Sequence, residues 1–571
     1  MITRKRLLNC CVLFILVGAL LVACSPAAQP QPTSVPESTK SAVSAPTSAA
    51  PSAPTSAPTG KGTEAVVGMA AGSIDHLDPH LAYFAASWRI MCMTCTPLLT
   101  FPDAAGEEGK QVIGGLAELP EISADGKTYT FKLKPGIKFA DGTPITGEDV
   151  KATFRRIFSP KLASPAAGFF TDIVGAEEFA QGKAADISGI TVDGDKITFQ
   201  LKEPMASFTK RLTMPLTCIV PKNAPEDPQE DGQLLVSGPY KVESYQPNRE
   251  LVLVRNPNYT ALQRGKFDRF VIQVGVDPAQ IGLMIRANQL DLYLDNMAPA
   301  DAAQALKDPT LQGRVFSGLE PTILYLWMNN DVPPFDNPKV RQAVNYAIDR
   351  EAILRVWGGP SQGQATDQIL CPAFEGWKDV SIYPNKADPE TAKKLLAEAG
   401  VKLPSNPVLR TINDSPGYLE VAQAIQAQLK EVGINVQIEA SANSVTYGII
   451  STRANKVPMG INSWTIDYPD PDNVIATLLD GTRITETNNQ NYASFNSPEI
   501  NAEIAALSNV TGPERAARWM ALDEKIMREY APWAPLLYPV RVDMISERVK
   551  VPGWVNHPIR GEDLAVLEPA Q

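Results

Sequence analysis

"VLRTINDSPGYLEVAQAIQAQLKEVGINVQIEA", Val408 to Ala440, is the stretch on which the fold turns. Residues 408–412 read as a strand, 418–432 as a helix ending at Gly433, and 434–440 as a second strand. A strand, a helix and a strand in this order predict parallel pairing with a right-handed crossover. In such units ligands sit at the carboxyl ends of the strands, here the loop "NDSPGY", 413–418.

Working outward, "FDNPKVRQAVNYAIDREAI" offers Asn337 as an N-cap and Pro338 at the first helical position. Val340, Ala343, Val344, Ala347 and Ile348 follow at helical spacing. "PETAKKLLAEAG" reads as a helix stopped by Gly400. The first half is different. Residues 127–139 alternate around Pro135-Gly136, "ISGITVDGDKITFQL" alternates around Asp193-Gly194, and 238–259 form a third strand pair, so three hairpins are expected. Between the first two, Thr146 and Asp149 form a capping box for a helix whose face is Val150, Phe154 and Ile157. The chain therefore reads as α/β, β-rich first and Rossmann-like later.

The N-terminus is not part of that fold. Arg4, Lys5 and Arg6 precede an apolar run, Cys11 to Ala23, too short for a membrane span. The run ends in "LVAC", which resembles a bacterial lipobox, so residues 1–23 are expected to be cleaved and Cys24 to carry lipid. Residues 24–63 then form a lipidated Cys and a Pro/Ser/Ala tether. Such a tether spans roughly 35 Å as a coil and roughly 120 Å fully extended. Cleavage removes three positive charges and takes the formal net charge from -11 to -14. An acidic chain without a basic block argues against a nucleic-acid partner. Cys92, Cys95, Cys218 and Cys371 allow three complete pairings, and sequence does not choose among them.

Catalytic and metal readings are weak. "GPSQG", 359–363, matches G-x-S-x-G, but a nucleophile elbow needs a strand before Ser361, and the sequence predicts a helix there. His76, His80, Cys92 and Cys95 could complete a zinc shell. Pro79 bends the first pair away from helical spacing, and the favoured reading puts His80 in an ordinary loop and Cys92 and Cys95 one turn apart on a helix as small apolar residues. No cofactor is expected. "WTIDYPDPDN", 464–473, lacks the glycine and the distal acid of a calcium loop. A carboxylate between Trp464 and Tyr468 suits an ammonium ligand instead.

Five stretches together resemble the extracellular solute-binding proteins of peptide/nickel-type ABC importers, family 5: "IDHLDPH" (74–80), "FADGTPITGEDVKATFRRI" (139–157), "SGPYKVESYQPNRELVLVRNPNY" (237–259), "FDNPKVRQAVNYAIDREAI" (335–353) and "WTIDYPDPDNV" (464–474). The resemblance implies a pear-shaped type II periplasmic-binding-protein fold with a hinge. Lobe I would be 64–272 plus 543–571, with a β-rich subdomain at about 98–190, and lobe II would be 273–542. The chain would cross near 271–276 and 538–543. It implies that Asp467 pairs with a peptide's α-ammonium, that Trp464 and Tyr468 frame it, and that the backbone of Trp464, Thr465, Ile466 and Asp467 pairs with the peptide. Ser73, Ile74, Asp75 and His76 would line the opposite wall. Some members carry a disulfide at the position of Thr465, which is not expected here. The expected protein is a monomeric, lipid-anchored receptor at the outer face of the cytoplasmic membrane or in the periplasm, handing short peptides to ABC permease subunits. The same fold holding a nickel chelate, opine, sugar or other cationic nutrient is the alternative. A serine hydrolase is the distant one.

Overall fold

A computed structural model describes residues 63–229, 234–262, 265–404, 406–512 and 514–570. The expected leader, Cys24 and the tether up to residue 62 lie outside the described residues. The first strand, β1 (Glu64–Met69), leads through the loop that holds residues 73–76 into helix α1 (Ala85–Thr94).

The β-rich layer follows. It contains β2 (Glu121–Ile122), β3 (Thr128–Lys132), helix α2 (Gly147–Ile157), β4 (Ile190–Asp193) and β5 (Lys196–Gln200). The strands form an antiparallel sheet in the order β2-β3-β5-β4. The turn at Asp193-Gly194 forms as expected, with Gly194 at φ +62°, where a side chain would be strained. The hairpin expected at Pro135-Gly136 does not form. β3 pairs instead with β5, and residues 137–145 fold back locally, with Phe139 N–H donating to Thr143 O. Local alternation could not reveal a partner as far along the chain as Lys196–Gln200. Helix α2 keeps its capping box, Asp149 accepting from Thr146 N–H at 2.8 Å, and its Val150, Phe154 and Ile157 face is fully buried.

Next come β6 (Tyr240–Gln246), β7 (Glu250–Arg255), β8 (Arg269–Val274) and β9 (Leu292–Tyr293). With β1 they make a five-stranded sheet ordered β9-β1-β8-β7-β6. β9 pairs with β1, so this sheet continues to Tyr293, beyond the crossing expected near 271–276. Cys95, at the end of α1, is disulfide-bonded to Cys218, with 5.4 Å between their Cα atoms. This overturns the zinc quartet, because the Cys95 sulfur is already committed, and Cys95 stands just past the end of α1 with extended backbone rather than within the helix. His80 is held too, between the Cys218 carbonyl and Arg156. Burial, and then the Arg156 charge, push its pKa down to about 4. Among the described residues no group of three or more His, Cys, Asp or Glu could hold a metal ion.

The second half builds the large sheet from β10 (Val315–Leu319), β11 (Thr322–Met328), helix α3 (Pro338–Ala347), β12 (Gly363–Ala365), β13 (Val408–Ile412), helix α4 (Tyr418–Glu431), β14 (Gln437–Ser441), β15 (Met459–Thr465) and β16 (Trp533–Met544). The order is β10-β16-β11-β15-β13-β14, with β12 on β16. β13 and β14 are parallel, as the opening stretch requires. β11, "TILYLWM", is buried on both faces. Leu324, Leu326 and Met328 pack under α3 and α4. Ile323, Tyr325 and Trp327 pack on the other face, with Trp464 and Tyr492. Asn337 caps α3 as expected. Ser361 sits between a helix, Arg350–Trp357, and β12. That is helix then strand, the reverse of a nucleophile elbow. Among the described residues no helix is long and apolar enough to cross a membrane.

Candidate functional site

The loop after β15 and the first residue of the helix that follows it, Asp472–Leu479, carry three buried aspartates with three different environments. Asp467 is 8% exposed and forms no ion pair among the described residues. Its backbone N–H donates to Asn473 Oδ1 (2.9 Å), and Asn473 Nδ2 donates back to its carboxylate (2.8 Å). Trp464 Nε1 donates to the same Asn473 oxygen at 3.2 Å. The hydroxyl of Tyr83 completes the shell. Burial raises the Asp467 pKa to about 7, against the pull of Asn473 and Tyr83. Such a carboxylate is dry, oriented and short of one cation.

Asp470 and Asp472 are already paired. Asp470 binds Arg515 Nη2 at 2.5 Å and Lys210 Nζ at 3.0 Å. Burial alone would raise its pKa, but Lys210 and then Arg515 outweigh that and bring it to about 2. Asp472 binds Arg211 at 3.0 Å and Ser207 Oγ at 2.6 Å. Burial, then the charge of Asp470, push its pKa up against Arg211. With these cations in place, neither carboxylate is available to calcium.

Tyr468 departs from its expected place. Its ring is 1% exposed, lies beneath the Arg211 guanidinium (5.4 Å) and meets Phe169 edge-on, within the core of the β-rich layer. Trp464 and Tyr83, not Tyr468, flank Asp467. The backbone also differs in detail. Ile466 N–H is spent on Pro321 O and Asp467 N–H on Asn473, while Thr465 pairs with Thr322. β13 pairs with β15 only at Met459 and Gly460. Among the described strands nothing covers that side of β15 from Ile461 to Thr465, so the open edge begins earlier than 464–467.

The loop at 73–76 reaches the site indirectly. Asp75 Oδ2 accepts from the backbone N–H groups of Tyr83 (2.7 Å) and Phe84 (3.0 Å), and so sets the position of Tyr83. Ser73 donates to Asp295. Ile74 packs on the five-stranded core, and His76 is half-buried. Sequence reasoning missed Tyr83, Lys210, Arg211 and Arg515, which come from distant segments. Asn473 was within the quoted loop, six residues after Asp467.

The family model for bacterial extracellular solute-binding proteins, family 5 (middle part), matches residues 111–486. The chain is 31% identical over 471 residues to "Heme-binding protein A" of Haemophilus influenzae, covering 78% of this chain and 81% of that protein. It is 28% identical to "Di/tripeptide-binding protein 2" of Pseudomonas aeruginosa, covering 80% and 86%. Among solved structures, "Clavulanic acid biosynthesis oligopeptide binding protein 2" superposes with a TM-score of 0.80 at 24% identity, covering 89% of this chain and 96% of that one. At that identity the likeness shows the fold, the type II periplasmic-binding-protein fold expected from the sequence.

Proposed function

Because the chain belongs to the bacterial extracellular solute-binding proteins, family 5, we propose that it is the lipid-anchored receptor of an ABC importer, holding short peptides at Asp467 and delivering them to the permease. A lipid on Cys24 would keep it at the outer face of the cytoplasmic membrane or in the periplasm, with 24–63 as tether. We take the five-stranded and β-rich layers as one lobe and the seven-stranded sheet as the other, with the peptide between them and no catalytic step.

The observation that carries this reading is the buried carboxylate of Asp467, without an ion pair among the described residues, beside a stretch of β15 that no described strand pairs with on one side. An α-ammonium supplies the missing charge. The edge of β15 supplies main-chain partners that any peptide can use, which is recognition by strand addition. Burial in a closed site makes the charge pair stronger than a surface one. Relatives with di/tripeptide and oligopeptide names support the peptide class. The relative named for haem makes haem the competing ligand.

The test is calorimetry with di- to pentapeptides on the wild type and Asp467→Ala. We expect the substitution to weaken binding by about 2–5 kcal/mol, as when one partner of a buried pair is removed. Unchanged affinity removes Asp467 from the site. Binding of haem without binding of any peptide replaces the ligand.

A further inference from the structure

At the end of α1, far in sequence from Asp467, three cysteines share one corner of the fold, and only two of them are joined. Cys95 and Cys218 form the disulfide, and both are buried, at 4% and 0% exposure. Cys92 stands in the last turn of α1, three residues before Cys95, and is partly exposed. The remaining described cysteine, Cys371, is treated differently. It lies in the core on one face of the large sheet, and burial pushes its thiol up to about 12, which leaves it inert.

Cys92 and Cys95 line one pocket together with Thr213, Pro215 and Arg560. The Cys95 N–H closes the last turn of α1 on Met91 O at 2.7 Å, so the two cysteines keep the spacing of neighbours on a helix. Their β-carbons are then about 5–6 Å apart, against about 3.8 Å in a disulfide, a gap that a small local shift closes. The Arg560 side chain is 8% exposed, and its Nε is buried without a hydrogen-bond partner. Its Nη2 pairs with Asp103 and Asp563. A guanidinium on the pocket wall favours the thiolate form of a cysteine there, and the thiolate is the form that attacks a disulfide. The bond itself presents a reductant in solution with two buried residues, so the partly exposed Cys92 is the way in.

We propose that Cys92 is a relay thiol through which an external dithiol opens the buried Cys95–Cys218 bond. The Cys92 thiol gives up its proton, and the thiolate attacks Cys95 Sγ. A Cys92–Cys95 bond forms, the Cys95–Cys218 bond breaks, and Cys218 leaves as a thiolate that takes up a proton. The dithiol then attacks Cys92 Sγ and Cys95 leaves. The second sulfur of the dithiol displaces Cys92 as it closes its own disulfide. Two electrons pass from the dithiol to the protein, and three thiols remain at Cys92, Cys95 and Cys218. The step releases a clamp. The Cys218 carbonyl accepts from His80, whose other ring nitrogen accepts from Arg156 of α2, so the bond holds in place a segment on which the contact between α2 and the His80 loop depends. The inference does not depend on which ligand Asp467 holds.

The test treats the full, oxidised protein with excess dithiothreitol, quenches in acid and maps the thiols by alkylation and mass spectrometry, for the wild type and Cys92→Ser. Cys92→Ser should lose the Cys95–Cys218 bond roughly tenfold more slowly, or slower still. Destabilisation does not imitate this result, because unfolding exposes the bond and speeds its reduction. A second variant, Cys218→Ser, tests the reach of the relay. After treatment with oxidised glutathione its Cys92 and Cys95 should be joined to each other. Reduction of Cys92→Ser as fast as the wild type or faster overturns the relay. So does a Cys218→Ser protein whose Cys92 and Cys95 both stay open to alkylation.

Discussion

Asp467 and Asp470 stand three residues apart on one loop, and both are buried. Asp470 is surrounded by Arg515 and Lys210, and its pKa falls to about 2. Asp467 has only Asn473 and Tyr83, and its pKa rises to about 7. The difference separates structure from function. One carboxylate is neutralised from within the chain and ties the loop after β15 to residues 210 and 515. The other is held by Asn473 and Tyr83 with no counter-ion among the described residues, and there we propose that the ligand's charge binds.

The contrast can be broken or sharpened by substitution. The largest effect is expected at Asp470. Asp470→Asn leaves Arg515 buried and unpaired, and urea unfolding should show a loss of about 3–5 kcal/mol. An unchanged midpoint would remove the structural half of the comparison. Asp467→Asn should act in the opposite direction. A carboxylate whose folded pKa is raised gives stability that is complete below the unfolded value and lost as pH rises through about 7. The ligand-free Asp467→Asn protein should therefore be more stable at pH 8 by about 1–3 kcal/mol, while losing peptide affinity. Asp470, with its pKa lowered to about 2, gives stability above the unfolded carboxylate value that is lost as pH falls towards 2. Acid titration of the two variants should separate these windows. The smallest effect belongs to Lys210, whose side chain is 27% exposed. Lys210→Met should cost no more than about 1 kcal/mol, because Arg515 still pairs with Asp470.

What could be read in the sequence was local. The β-α-β unit at 408–440, the Asn337 cap, the Thr146–Asp149 box and the Asp193-Gly194 turn all depend on residues within a few positions of one another. Nonlocal choices could not be read. Cys95 finds Cys218 across 123 residues, and β3 finds β5 rather than the segment after Gly136. In the loop, proximity in sequence misled. Tyr468 follows Asp467 directly, yet its ring is buried in the β-rich core with Phe169 and Arg211. Tyr83, nearly 400 residues away in sequence, takes the place beside Asp467.

The central claim, that Asp467 waits for an ammonium group, is tested most directly by counting protons during peptide binding. Calorimetry in buffers of different ionisation enthalpy gives that count. At pH 6 a carboxyl with a pKa of about 7 is mostly protonated, so pairing with an ammonium should release about 0.9 proton. At pH 8 Asp467 is already ionised, while a peptide amine with a pKa near 7.8 is about half deprotonated. Binding should then take up roughly half a proton. The account predicts this change of sign between pH 6 and pH 8. Peptide binding with no proton exchanged at pH 6 would contradict it.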